Sequence, residues 1–424
     1  MYGIIVPYEV ACYSVLVSEV TRTIWFMTVA TPTDKFGSME FPESGRPVYL
    51  DCNATTPIDP RVRDEVLRWT AEEFGNAGSR THTYGQVAKE RVTRARKEVA
   101  AVVEAQPEEV VFTSGATESN NLAILGLEEH GNSVGKRHIV FTQIEHKAVL
   151  EPIEVLARRG FEVTGVRPNR GGWVDPEQIA EAVRPDTLLV SVMGVNNETG
   201  VIQPIDAIAD LLLDSEVFFH VDAAQAFGKL INPMRHKRID MLSVSGHKVY
   251  GPKGIGALIT RRRRFKRPPL TPLMYGGGQE RGLRPGTLPV GLIAGLGLAS
   301  TLGLDEHQMR NERCAAIKGE AVAAFEVLGA VMNGDGDRTV SHTLNFSVEG
   351  VDSEAAIVAL KDVAAISNGS ACTSQSYEPS HVLLAAGIPE LQIAGALRLS
   401  WSHMTGAVDW IEISSRLSRL QGRG

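Results

Sequence analysis

The sequence predicts an α/β fold, with a large domain on a mostly parallel sheet and a smaller α+β domain after it. Three observations carry that expectation. From Val48 onward, short β-rich runs alternate with helical patterns, the signature of strands joined by crossover helices. After about residue 300 the strand signal thins to "HTLNFSV" and "ALRLSWS" among helices. Neither an internal repeat nor a low-complexity linker interrupts the pattern. The expected division is 47–300 for the large domain, with 47–57 able to pack on the small one, and 301–424 for the small domain. Residues 1–46 are apolar and aromatic, show no helical or strand period, and end in the turn-rich "FPESGRP". They read as an irregular appendage, with Met39 as an alternative start.

With 424 residues, 43% hydrophobic and 22% charged, the chain has the balance of a soluble globular protein. A net charge of −7 argues against a surface shaped throughout for nucleic acid, while leaving room for a local basic patch. The four cysteines, Cys12, Cys52, Cys314 and Cys372, lie far apart without a C-x-x-C pair, which fits neither a disulfide framework nor a zinc site, and no metal is expected. No apolar run reaches the roughly 20 residues of a membrane span. Glu9 and Glu19 interrupt any secretory signal, so a cytoplasmic, reducing location is expected.

In such sheets ligands bind beyond the carboxyl ends of the strands, so the residues after each run are the informative ones. "EVVFT" is followed by "SGATESNN", a small-residue turn opening a helix whose free amides and positive dipole end suit a phosphate, with Gly115, Ala116 and Thr117 allowing close approach. A plain capping turn on Thr117 or Ser114 also accounts for it. "RHIVFT" leads to "QIEHKAV" and His146, where a structural histidine is the bland alternative. After "FEVTGV", "TLLVSVM" leads to "GVNNETG", whose Asn196, Asn197 and Glu198 also read as turn formers. "VFFHVD" delivers Asp222 and then Gln225 from a buried strand, and a carboxylate there requires a cationic or hydrogen-bonding partner. "DMLSVS" ends at Ser245, Gly246, His247 and Lys248. A desolvated lysine near other cations loses basicity and serves as an amine nucleophile. A phosphate-type turn, a strand-end carboxylate and a strand-end amine on one sheet edge are together what pyridoxal 5'-phosphate requires. "GALITR" runs into "RRRRFKRPP", which reads as a solvated turn or a docking patch for an acidic partner in preference to a DNA contact.

The motifs "LDCNATTP", "FTSGATESNN", "IEHKAVL", "VNNETG", "HVDAAQ", "SGHKVYGPKGIGAL", "GGGQERGLRPGT", "SNGSACTS" and "LRLSWS" stand in the order and spacing of the NifS/IscS-like cysteine desulfurases of the class V aminotransferase family, which the chain resembles from Val48 to about Asp409. The resemblance implies fold type I, a homodimer with active sites at the interface, and conversion of L-cysteine to L-alanine with sulfur retained as a persulfide. It implies that Lys248 binds the cofactor, Asp222 partners its ring nitrogen, Gln225 its ring hydroxyl, and that His146 stacks on the ring and moves a thiol proton. Ala116, Thr117, Ser245 and His247 would hold the phosphate, with Thr287 contributed to the other subunit. Asn197 and Arg398 would bind the substrate carboxylate, for which a planar guanidinium is suited.

Cys372 would be the sulfur acceptor, its glycine and serine neighbours giving the loop reach; Cys52 and Cys314 are left as structural. A sulfur-acceptor protein is the implied partner. Asn368, Pro285 and the pair Ser402–His403 depart from the usual pattern without removing a catalytic group. The short C-terminal end and "GGGQERGLRPGTLP" look more like the member that serves DNA phosphorothioation than the iron–sulfur one. A selenocysteine lyase or other class V enzyme, and a non-catalytic sulfur-transfer or nucleic-acid adaptor, are the alternative classes.

Overall fold

The computed structural model describes residues 46–368 and 379–422. The N-terminal appendage with Cys12 and Met39, and the segment that holds Cys372, lie outside the described residues. The described strands are β1 (Val48–Tyr49), β2 (Val110–Thr113), β3 (His138–Thr142), β4 (Glu162–Val166), β5 (Thr187–Met193), β6 (Phe218–Asp222), β7 (Met241–Ser245), β8 (Gly256–Thr260), β9 (Val331–Met332), β10 (Thr343–Ser347), β11 (Ala364–Ala365) and β12 (Ala396–Ser400).

Seven of them form one sheet in the order β2-β8-β7-β6-β5-β3-β4. Only β8 runs against its neighbours; the remaining pairings are parallel, as the alternating pattern predicts. β5 and β7 are buried at every residue, which is how strands covered on both faces read as unbroken apolar runs. The strand order reverses at β3, with β4 on one side and β5, β6 and β7 on the other, so a crevice opens beyond the carboxyl ends there.

The helices Thr83–Val102 and Val290–Asp305 cover the sheet together, and glycine lets them approach closely. A Cβ on Gly297 would stand 2.1 Å from Glu98 Oε2 and 2.8 Å from Ala95 Cα. Arg91, buried in that contact, is held by Glu65 at 2.7 Å, Glu98 at 3.0 Å and the Ala294 carbonyl at 2.7 Å, so its charge is compensated in place.

Toward the C-terminus, β12, β10 and β9 form an antiparallel sheet, and β1 pairs in parallel with β11. The cluster against this sheet contains Phe325, Phe346, Trp401 and Trp410, and also Leu50 from the beginning of the described chain. The rings of Phe325 and Phe346 stack at 4.4 Å and 18°. The chain after β10 turns from helix to strand within a few residues. The helix spans Ser353–Leu360, a turn closes with the Val363 amide on the Leu360 carbonyl, and β11 then pairs with β1. β1, β9 and β11, at two residues each, are too short for a period of two to show.

Part of the arginine run is spent on structure, while Arg262, Arg264 and Lys266 stay exposed. Arg261 is buried and donates to the carbonyls of Val103, Met234 and His236. Arg263 donates to Ser215 at 2.9 Å and approaches Asp240 at 3.6 Å. Because β8 is antiparallel, this turn lies at the edge of the sheet opposite the parallel strands' carboxyl ends. Among the described residues, no helix is long and apolar enough to cross a membrane.

Candidate functional site

A cavity of about 1110 Å³ lies at the carboxyl edge of the parallel strands, and the residues that follow β2, β3, β5, β6 and β7 all reach it. After β2, the helix Ala116–Leu125 begins with Gly115 as its cap, not with Ser114 or Thr117 as the capping reading expected. The reason is Glu118, which reaches back to accept the Ser114 amide at 2.6 Å. Ala116 and Thr117 are left on the cavity wall. A Cβ built on Gly115 would come 3.7 Å from the Ser245 hydroxyl, so the end of β7 faces this helix start across a narrow gap.

Asp222 ends β6 and is 5% exposed. One of its oxygens accepts from the Asn120 amide at 2.7 Å, the other from the Ala224 backbone at 2.9 Å. Gln225 donates to the Asn53 carbonyl at 2.9 Å. Lys248 closes the one-turn helix Gly246–Lys248 after β7. That turn requires glycine at 246, where a Cβ would meet the Pro252 carbonyl at 2.8 Å and Ile255 at 2.9 Å. The Lys248 amine donates to the Asn53 carbonyl and, at 2.8 Å, to the Ala54 carbonyl. His247 contacts the Thr55 hydroxyl at 3.2 Å, and burial, reinforced by Lys248 and Lys253, pulls its ring down to about 4. It is neutral near pH 7 in a region of positive potential that suits an anion.

His146 caps the helix Lys147–Arg158, its Nδ1 accepting the Ala148 amide at 3.1 Å. Burial pulls its pKa below the usual value; Asp222 opposes the shift, and Lys248 and His381 add to it. Asn196 is the turn former of "VNNETG", with its Oδ1 accepting the amides of Glu198 and Thr199. Asn197 lines the cavity, and its carbonyl accepts from Asn53 and from Arg398 at 3.2 Å. Arg398, in β12, is 2% exposed and also pairs with Asp51 at 2.7 Å. Its Nε finds no acceptor among the described residues.

Thus Ala116, Thr117, His146, Asn197, Asp222, Gln225, Ser245, His247, Lys248 and Arg398 share one cavity. Thr287 is exposed and does not line it. Cys372 is outside the described residues. Sequence reasoning missed Asn120 as the partner of Asp222, Asp51 and Asn53 as partners of Arg398 and Lys248, and a carboxylate–hydroxyl–imidazole group at the cavity mouth. There the Ser380 hydroxyl donates to Glu198, and His381 donates to the Glu145 carbonyl at 3.0 Å. Asn120 and Asn53 lie inside quoted motifs, yet nothing in a sequence marks which asparagine will be buried against a carboxylate.

A seven-stranded, mostly parallel sheet that brings an amine, a buried carboxylate and a helix start to one edge, with a small antiparallel sheet beyond it, defines a fold type I pyridoxal 5'-phosphate enzyme. Residues 48–409 match the model of the class V aminotransferases, and the chain belongs to that family and, within it, to the cysteine desulfurases. It is 46% identical over 362 residues to the cysteine desulfurase IscS of Vibrio cholerae, covering 85% of this chain and 89% of that one. The crystal structure of DndA from Streptomyces lividans is 51% identical, with a TM-score of 0.74, over 84% of this chain and 99% of that one. The structure of SspA in complex with cysteine is 39% identical, with a TM-score of 0.74, over 83% and 98%.

The residues present fit the family's cofactor. The Asp222 carboxylate lies on the cavity wall with Lys248, and the buried Gln225 Oε1 and Asn120 Oδ1 have no hydrogen-bond partner among the described residues. Two unmet acceptors beside a buried carboxylate call for a ligand carrying donors.

Proposed function

We propose that this chain is a pyridoxal 5'-phosphate-dependent enzyme that converts L-cysteine to L-alanine, retains the sulfur on Cys372 as a persulfide and passes it to an acceptor protein in the cytoplasm. The observation that carries the reading is the convergence of Lys248, Asp222 and Arg398 in one cavity. Lys248 would hold the cofactor through its amine, Ala116, Thr117, Ser245 and His247 its phosphate, Gln225 its ring hydroxyl, and His146 would lie against its ring. Bound cofactor supplies an electron sink that weakens the Cα–H and Cβ–S bonds of the amino acid. Asp222 would partner the ring nitrogen, and Asn120 and the Ala224 amide hold its two oxygens in place. Lys248 would also be the amine that takes the proton from the substrate Cα. Arg398 and Asn197 orient the substrate through its carboxylate.

Thr287, exposed and away from this chain's cavity, is available to a second copy, which supports a homodimer with shared sites. The 51% identity to DndA, beside 46% to IscS, supports DNA phosphorothioation ahead of iron–sulfur assembly as the destination of the sulfur. With Arg261 and Arg263 bonded within the fold, only part of the 261–267 run is left exposed, which supports a docking patch for an acidic protein partner in preference to a DNA contact.

A single turnover with sulfur-labelled L-cysteine, followed by mass spectrometry of trapped protein, tests this. Label is expected on the Cys372 peptide, and Cys372→Ser should release almost no alanine without an added thiol, since serine is un-ionised near neutrality. Cys52 and Cys314 should carry none: burial pushes their thiols up to about 12 and about 11. Label on either, or full alanine release by Cys372→Ser, would reject Cys372 and favour a lyase acting without a protein acceptor.

A further inference from the structure

Glu118 does not line the cavity, yet its two oxygens hold two separate pieces of the chain. Oε2 accepts the Ser114 amide at 2.6 Å, which fixes the turn after β2 immediately ahead of Ala116 and Thr117 on the cavity wall. Oε1 accepts from Arg284 Nε at 3.0 Å, 166 residues further along the sequence. The two side chains of this ion pair are only 15% and 22% exposed, so salt and water screen it less than a surface pair. Burial raises the Glu118 carboxyl, but Ser114 and Arg284 outweigh it and hold it below its ordinary value. The carboxylate is therefore charged near neutrality and accepts on both oxygens.

Arg284 belongs to the loop that carries Thr287. In this loop Glu280 and Arg281 adopt left-handed backbone angles, φ 47° and 60°, which side chains disfavour, so their surroundings must hold them there. The holds converge on β2. The buried Glu280 accepts from Arg96 at 2.7 Å and from the Phe112 amide at 2.8 Å, and Arg281 donates to the Val110 carbonyl at 2.7 Å. Nearer Thr287, the Gln279 side chain accepts the Gly286 amide at 2.8 Å, and Pro285 fixes one φ in the link from Arg284. Few free torsions separate Arg284 from Thr287. Thr287 itself is exposed and outside this chain's cavity, so the loop presents it outward while the anchor, Glu118, stays on the turn of its own site.

We propose that Glu118 is a positioning residue for two cofactor phosphates: in its own chain it orients the 114–117 turn, and through Arg284 it sets Thr287 for the site of the neighbouring copy. This rests on the homodimeric desulfurase reading.

Mixed dimers separate the two roles. Two differently tagged copies are co-expressed and purified as a dimer in which one copy carries Lys248→Ala. Only the other copy then develops the visible band of lysine-bound cofactor when pyridoxal 5'-phosphate is titrated into the cofactor-free dimer. Thr287→Ala is the reference. Placed in the Lys248→Ala copy, it should weaken cofactor binding at the intact site by roughly 10–10²-fold, the loss of one hydrogen bond to a charged group; placed in the intact copy, it should not. Arg284→Gln should follow the same pattern across the dimer, with a loss on the order of 10-fold. Glu118→Gln keeps an acceptor for the Ser114 amide and should repeat the loss across the dimer. Combining it with Arg284→Gln in one copy should add nothing, as two partners of one bond require. The phosphorus NMR resonance of the bound cofactor should move with each of these substitutions, which a general loss of stability would not produce. If Thr287→Ala acts across the dimer while Arg284→Gln leaves the opposite site unchanged, or weakens only the copy that carries it, the proposal is overturned. If Thr287→Ala has no effect across the dimer, the shared-site reading fails instead.

Discussion

Arg398→Gln separates substrate binding from cofactor binding. The wild-type guanidinium is 2% exposed, bonded to Asp51 at 2.7 Å and to the Asn197 carbonyl at 3.2 Å, with Nε unmatched among the described residues. A substrate carboxylate that used this fork would form two charge-assisted bonds, each contributing on the order of 1.5–3 kcal/mol. Their loss, about 3–6 kcal/mol in total, corresponds to roughly 10²–10⁴-fold weaker binding at about 1.4 kcal/mol per decade. The substitution also strands Asp51, but that side chain is 21% exposed and water can reach it. The cost to stability should therefore fall below the roughly 3–5 kcal/mol of breaking a dry ion pair. The assay compares L-alanine with ethylamine, its counterpart lacking the carboxylate, by the visible absorbance change each produces in holoenzyme. Wild type should prefer L-alanine by that factor; Arg398→Gln should retain cofactor and lose the preference. A variant that keeps the preference for the carboxylate, or that loses cofactor while keeping it, refutes the role.

Borohydride reduction of holoenzyme should fix the cofactor's mass on the peptide containing Lys248 and on none in Lys248→Ala; label on Lys229, which burial pulls down to about 8, would refute the assignment. Glu145 is raised to about 8, chiefly by burial, with the Thr142 hydroxyl and the Met193 amide opposing. The folded state thus keeps a proton that the unfolded chain releases, and stability should fall by about 1.4 kcal/mol per pH unit between roughly 4.5 and 8. Glu145→Gln should match wild type in urea unfolding near pH 4.5 and exceed it near pH 8; an unchanged difference across that window would show that the carboxyl is ionised in the fold.

The parts of the site that could be read from the sequence are those that depend on strand ends. An extended apolar run in a parallel sheet has a defined carboxyl edge, so the residues after it must meet there; Asp222 ends β6, and Lys248 follows β7 by one short turn. The residues that hold them could not be read in this way. Asn120 reaches Asp222 from the helix of a different strand end, and hydrophobic periodicity records which face is buried but not which polar group is buried with a partner. The helix cap at Gly115 was misjudged for a related reason, because Glu118 meets the Ser114 amide and the small hydroxyl residues are not needed for it. His381 stands on a five-residue helix, too short to show any period.

The segment from Leu50 to Asn53 shows what such hidden contacts accomplish. Leu50 is buried in the C-terminal cluster, and the Cys52 amide donates to the Ser400 carbonyl, so the segment is fixed to the end of β12, the strand that carries Arg398. Asp51 pairs with Arg398 itself. Two residues further on, the Asn53 carbonyl accepts from both Gln225 and Lys248, which the large sheet supplies, while the Asn53 side chain donates to the Asn197 carbonyl at 3.1 Å and to the Thr343 hydroxyl at 3.0 Å. The arginine of β12 and the lysine after β7 therefore share one short stretch of backbone as their common reference. A displacement of β12 relative to the large sheet would have to break the Asp51 ion pair or the bonds to the Asn53 carbonyl. Because each contact is made to a fixed backbone segment, the distance between the group proposed to orient a carboxylate and the group proposed to supply an amine is set by packing around Leu50, and that is the physical reason "LDCNATTP" would belong to the site without contributing a reacting atom.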